Sequence, residues 1–170
     1  MSKILRDRIL IIGGTGFIGR NLTQFCIEKG LSCSVMSLNK PDEQHCLFGV
    51  EYLVADLTNV NGLLRALQSC EPFDYVVNLS GYIDHSSFLN GGRQVIGAHF
   101  IGVMNLLQVL DRSILKCFVQ VGTSDEYGNL PAPQNELMRE SPITPYSLSK
   151  LSILILHTDT MLGSEGDEEV

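Results

Sequence analysis

Tyr146-Ser147-Leu148-Ser149-Lys150 sets a phenol and an ammonium one helical turn apart. On a helix that spacing puts both side chains on one face. A phenol is a poor base at neutral pH. An ammonium beside it favours the phenolate, which can take a proton from an alcohol. Tyr and Lys are ordinary helix residues, so the pair alone reads as readily as a structural feature. Its place in the chain gives it weight, because it follows a glycine-rich turn and five apolar runs of strand length.

That turn is Gly13-Gly14-Thr15-Gly16-Phe17-Ile18-Gly19, between the apolar run Ile9-Leu10-Ile11-Ile12 and a helical pattern over residues 17–29. A pyrophosphate needs a tight turn, close approach of the backbone, and free amides at a helix N-terminus. Gly13, Gly16 and Gly19 are spaced G-x-x-G-x-x-G, not G-x-G-x-x-G. An ordinary glycine turn is the bland alternative, and the strand-to-helix position favours a bound dinucleotide. The end of the second strand should then distinguish the cofactors, since a carboxylate there holds the ribose 2′-hydroxyl of NAD. Ser37-Leu38-Asn39-Lys40 contains none. Lys40 and Arg20 are either receivers of a 2′-phosphate or plain surface cations, and NAD and NADP both stay open.

Strands are expected near residues 9–12, 33–37, 52–55, 75–79 and 117–121. Helices are expected at 17–29, around Val60, Leu63, Leu64 and Leu67, at 95–110, and from Tyr146 onward, with Thr144 as N-cap and Pro145 in the first turn. Residues 122–144 read as a long, proline-punctuated loop of the kind that carries function. Strands alternating with helices imply parallel pairing. The expectation is therefore an α/β, Rossmann-type doubly wound sheet of order 3-2-1-4-5 with helices on both faces.

The balance of charge is −7 and 44% of residues are hydrophobic, which fits a packed domain and disfavours a nucleic-acid partner. Cys26, Cys33, Cys46, Cys70 and Cys117 form no C-x-x-C pair. They read as free thiols of a reducing compartment, with no metal site. No segment reads as a signal peptide or as an apolar run long enough to span a bilayer, so a cytoplasmic location is expected. Residues 1–162 are expected to form one NAD(P)-binding domain and 163–170 an acidic, disordered tail.

Gly-Gly-Thr-Gly-Phe-Ile-Gly resembles the nucleotide-binding loop of the extended short-chain dehydrogenases/reductases, the group of NAD(P)-dependent sugar-nucleotide epimerases and dehydratases. Asp56-Leu57 matches that family's adenine-contacting pair, and helix capping is a second role open to Asp56. Leu79-Ser80-Gly81 is similar to the loop that borders the cofactor, and Tyr146 and Lys150 to the catalytic Y-x-x-x-K. Gly122-Thr123-Ser124-Asp125-Glu126-Tyr127-Gly128 resembles the Ser/Thr-x-x-x-Tyr-Gly segment. That match makes Thr123 the hydroxyl that hydrogen-bonds the reacting oxygen. Asp125 stands where 4,6-dehydratases carry an acid and epimerases usually carry none; it and Glu126 read equally as solvated loop acids.

The resemblance runs to about Leu156. His99 replaces the asparagine that the family uses to steady its active-site helix and a proton relay. Members continue for roughly as long again, so most of the C-terminal substrate domain is expected to be missing. The resemblance implies a nucleotide-sugar substrate oxidised transiently at C4, with a truncated, non-catalytic dinucleotide-binding module as the alternative. It also implies a homodimer through helices 95–110 and 146–157. His85 lies in the loop after the fourth strand, and a lone histidine there reads as structural.

Overall fold

The computed structural model describes residues 6–162, with side chains as far as residue 154; the expected acidic tail 163–170 lies outside the described residues. The chain divides into two compact units. One comprises the residues up to Gly81 together with Met104–Val121, and the other Tyr82–Val103 with the residues from Gly122 onward.

The first unit is built on a five-stranded parallel sheet of order β3-β2-β1-β4-β5: β1 (Arg8–Ile12), β2 (Ser32–Ser37), β3 (Glu51–Val54), β4 (Tyr75–Asn78) and β5 (Cys117–Gln120). This is the expected order, with helices on both faces. Successive side chains of a strand point to opposite faces. Ile9, Ile11, Cys33 and Val35 pack on Leu22, Cys26 and Ile27 of α1 (Phe17–Glu28). The alternate residues Leu10, Ile12, Met36 and Val76 are buried at 0–2% exposure, which explains why these strands read as unbroken apolar runs. α2 (Val60–Leu67) buries Leu63, whereas Leu64 of the same stripe is half exposed.

Helix ends follow their chemistry. α1 closes with Gly30 N–H donating to Ile27 O and Leu31 N–H to Cys26 O, at 2.9 and 3.0 Å. Gly30 has φ +85°, the left-handed conformation this closing motif requires. The cap of α2 is Asn59, whose side chain accepts Gly62 N–H at 3.0 Å. Asp56, read as a candidate cap, instead accepts the N–H and hydroxyl of Thr58, both at 2.8 Å, and so folds the turn ahead of the helix. At the opposite edge of the sheet Asp74 accepts Arg8 N–H at 2.8 Å and pairs with Lys116 at 2.9 Å. Lys116 also reaches Asp7 at 2.9 Å. Cys26 and Cys33 are buried, and desolvation pushes both thiols up, Cys33 to about 11.

The helix expected at 95–110 begins earlier, as α3 (Gly92–Ile96), and passes through a π turn (Gly97–Ile101) before α4 (Gly102–Val109). Gly97 opens the wide turn and Gly102 follows it. Residues 122–144 hold one short 3₁₀ turn, Ser124–Tyr127. α5 (Pro145–Leu162) opens as expected, with Ser147 N–H donating to Thr144 Oγ1 at 3.1 Å. A Cβ at Gly92 would stand 2.6 Å from the Pro145 ring, so the starts of α3 and α5 touch without a side chain between them. No helix among the described residues is long and apolar enough to cross a membrane. No cluster of His, Cys, Asp and Glu suited to a metal is found among them.

Candidate active site

The first unit supplies a cradle. Ile12 is in register with both Met36 and Asn78, so the chain leaves β1, β2 and β4 at the same sheet edge. Strand order reverses between β1 and β4, and in open parallel sheets ligands bind in the crevice beyond such a reversal. The glycine loop and Leu79-Ser80-Gly81 flank it. Gly13 N–H donates to Met36 O at 2.8 Å and Leu79 N–H to Ile12 O at 2.9 Å. Ser80 folds back on Asn78 Oδ1, its N–H at 3.0 Å and its hydroxyl at 2.6 Å, while the fully buried Asn78 donates to Gln120.

The glycines divide into two kinds. Gly13 has φ +76°, and a Cβ on it would lie 3.0 Å from the Leu79 carbonyl. A Cβ on Gly14 would meet Val35 at 2.8 Å, and one on Gly19 would meet the Cα of Gly14 at 2.4 Å. These three are required by the turn itself, and the spacing pattern missed Gly14 because it lies outside the three-residue repeat. Gly16 is different: its Cβ would meet only Gly13 O, at 3.4 Å. The turn itself does not demand its bareness. Gly16 also caps α1 with no side-chain hydrogen bond, which leaves the first helical amides and the positive helix end for a ligand. Phe17 and Ile18 are 87% and 61% exposed, so these amides lie at the surface. The donor set and the cradle fit a dinucleotide pyrophosphate.

Thr15, Arg20 and Lys40 line one cavity of about 430 Å³ together with Tyr52, Asp42 and His45. Asp56 is exposed just past β3, and Leu57 behind it is buried. A larger depression of about 570 Å³ lies over Ile9, Tyr75, Val77, Cys117 and Val119. It includes no residue of the glycine loop.

The second unit brings the reactive side chains together. Tyr146 and Lys150 are both 6% exposed on α5. Burial holds the Lys150 ammonium below its ordinary range, against the opposing charge of Glu126. The His99 ring meets the Tyr146 ring edge-on, with centroids 5.1 Å apart, and its Nε2 is 2.9 Å from Tyr82 O. A carbonyl only accepts, so Nε2 carries the proton. Burial lowers the pKa of His99, opposed by its bond to Tyr82 and aided by Lys150, which favours the neutral imidazole. His99 is thus packed against the phenol.

Thr123 caps the 3₁₀ turn, its hydroxyl accepting Asp125 N–H at 3.3 Å. Glu126 is buried and accepts Thr123 N–H at 2.8 Å, which completes a capping box; it is not a solvated loop acid. Burial pushes its carboxyl up, opposed by the Thr123 N–H and by Lys150. The turn packs against α5. Asp125 is not a bare loop acid either: its Oδ2 is 2.7 Å from Nε2 of His85, and the His85 ring stands edge-on to Tyr146 at 5.7 Å. Sequence reading treated His85 as a lone histidine because its partner is 40 residues away and only the fold joins them. Taken together, this unit holds a phenol, a partly desolvated ammonium, a hydroxyl and two imidazoles, a set suited to moving protons on and off an alcohol.

A family model, NAD dependent epimerase/dehydratase family, matches residues 9–160. The dTDP-D-glucose 4,6-dehydratase of Dictyostelium discoideum is 25% identical over 85% of this chain and 38% of its own length. The UDP-glucose 4-epimerase of Mycoplasma genitalium is 25% identical over 89% of this chain and 48% of its own. The crystal structure of the UDP-Glc/GlcNAc 4-epimerase of Campylobacter jejuni superposes with a TM-score of 0.79 at 25% identity, over 94% of this chain and 50% of that one. The chain therefore spans half or less of each of these three proteins. Because the match to the family model takes in nearly the whole chain, this chain belongs to the NAD dependent epimerase/dehydratase family.

Proposed function

We propose that this chain is the cofactor-binding and proton-handling part of an enzyme that oxidises a nucleotide sugar transiently at C4, as an epimerase or a 4,6-dehydratase. The observation that carries this reading is the arrangement of Tyr146 and Lys150, buried on one face of α5 beside His99 and the Thr123 turn. The glycine loop, with Gly13, Thr15, Gly16, Phe17, Ile18 and Gly19, holds the pyrophosphate. Asp56 and Leu57 face the adenine, and Leu79, Ser80 and Gly81 border the rest of the dinucleotide. A nicotinamide dinucleotide held by these residues would supply the hydride acceptor and donor. Tyr146 takes the proton of the sugar hydroxyl, Lys150 stabilises the phenolate, and the Thr123 hydroxyl hydrogen-bonds the reacting oxygen.

Arg20 and Lys40 share the cavity next to Thr15, and β2 ends without a carboxylate, so we assign this cavity to the 2′-phosphate of NADP. A homodimer is supported by Ile101 and Leu148, apolar residues of helical segments that stay 43% and 50% exposed. A sedimentation run showing only monomer at micromolar concentration would remove that assignment. The test of the function is direct. The chain is mixed with NAD or NADP and with dTDP-glucose or UDP-glucose, and absorbance at the reduced-nicotinamide band and the sugar products are followed. Turnover, or stoichiometric reduction of the nicotinamide, is expected; tight cofactor binding with neither would leave only a dinucleotide-binding module.

A further inference from the structure

The Asp125–His85 pair has no role in the reading above. Its geometry is that of an oriented imidazole. Nε2 is 2.7 Å from Asp125 Oδ2, and an acid-only acceptor fixes the proton on that nitrogen. The ring is held a second way, edge-on to Tyr146 with planes at 68°. Nδ1 makes no hydrogen bond among the described residues, so its lone pair is available. The pair is part-exposed, 55% for His85 and 39% for Asp125, and at that exposure such a contact contributes little to stability. Its order is better explained by placement of a base than by holding the fold.

We infer that His85, oriented by Asp125, is a second acid/base of this site and exchanges the proton on the sugar carbon next to the oxidised position. The inference rests on the proposed oxidation. Removal of hydride to a nicotinamide oxidant, and of the hydroxyl proton to Tyr146, leaves a ketone. The neighbouring C–H is then acidic. Nδ1 of His85 takes that proton, the C–H electron pair forms the carbon–carbon double bond of an enolate, and the charge moves to oxygen, where Tyr146 returns its proton. The reverse steps put a proton from His85 back on the carbon. Asp125 positions the ring and neutralises the imidazolium without itself taking the proton.

The test has two arms. In the free protein, ¹⁵N-resolved NMR of the His85 ring should show one Nε2–H tautomer, and Asp125→Asn should convert it to a mixture; an unchanged tautomer overturns the orienting role. In deuterium oxide with NAD or NADP and dTDP-glucose or UDP-glucose, deuterium in recovered sugar is measured against nicotinamide reduced. His85→Gln is expected to lower that ratio at least about 100-fold. An unchanged ratio, or wild-type reduction with no deuterium uptake, overturns the inference alone. Absence of any wild-type reduction overturns the proposed function and this inference with it.

Discussion

Glu126 reaches back to accept the backbone N–H of Thr123 at 2.8 Å, from a position only 7% exposed, while the Thr123 hydroxyl accepts Asp125 N–H. The residue assigned to the reacting oxygen is thus held by a buried carboxylate three positions on. Truncation to Glu126→Ala leaves that amide without its acceptor and is expected to cost about 1–3 kcal/mol of stability. Glu126→Gln keeps an acceptor and should lose less than half as much. Thermal unfolding of the two variants at pH 7 decides; equal losses would show that charge, not the hydrogen bond, holds the turn.

The two kinds of glycine give opposite expectations. Gly19→Ala forces a Cβ against the backbone of Gly14 at 2.4 Å, and should cost about 1–3 kcal/mol of stability as well as cofactor binding. Gly16→Ala meets only an ordinary contact at 3.4 Å and should melt within about 0.5 kcal/mol of wild type, yet lose dinucleotide affinity about tenfold or more. Calorimetry with and without NAD(P) separates the two. A Gly16→Ala chain that binds normally would show that the pyrophosphate lies elsewhere.

Removing Arg20 and Lys40 together should weaken NADP about tenfold or more, by loss of charge-assisted hydrogen bonds, and leave NAD nearly unchanged. Thermal-shift titration of wild type and the double alanine variant with all four nicotinamide dinucleotides checks this. A wild-type protein that prefers NAD would reassign both cations to the solvated surface.

Tyr146→Phe removes the proton acceptor and keeps the ring that His85 and His99 pack against. Nicotinamide reduction should fall about 10²–10⁴-fold with little change in melting temperature. A variant that retains more than a tenth of the rate would displace Tyr146 from the proposed role.

At the sheet's other edge, Asp74 has its carboxyl held below the usual range, first by the Arg8 N–H and then by Lys116. A depressed folded-state value stabilises the protein above the unfolded value, near 4, and that contribution is lost as pH falls through the folded value. Asp74→Asn should therefore melt below wild type at pH 7, with the gap shrinking below about pH 4 and then closing. A gap that is constant with pH would mean that the charge is not what matters.

Much of this architecture is legible in local signals. Apolar runs between helical patterns announce the parallel sheet, and Thr144-Pro145 announces the start of α5. Other features depend on contacts that sequence distance hides. The π turn at Gly97–Ile101 surrounds a buried histidine bonded to Tyr82, and nothing in the apolar spacing of that segment foretells it. Asn59, not Asp56, caps α2, because the chain makes a further turn before the helix begins. Asp125 and Glu126 read alike as neighbouring acids. The capping geometry turns one inward to the Thr123 amide and the other outward to His85.

The interior placement of Cys26 and Cys33 has a practical consequence. Those sulfurs behave as small hydrocarbons in the packed layer under α1, and their raised thiols keep them protonated and inert. Air oxidation and alkylating reagents will fall first on Cys117, exposed on β5, ahead of the half-buried Cys46 and Cys70. A preparation left without reductant should therefore build up intermolecular disulfides chiefly through Cys117, and Cys117→Ser should give a chain that cross-links much more slowly in storage.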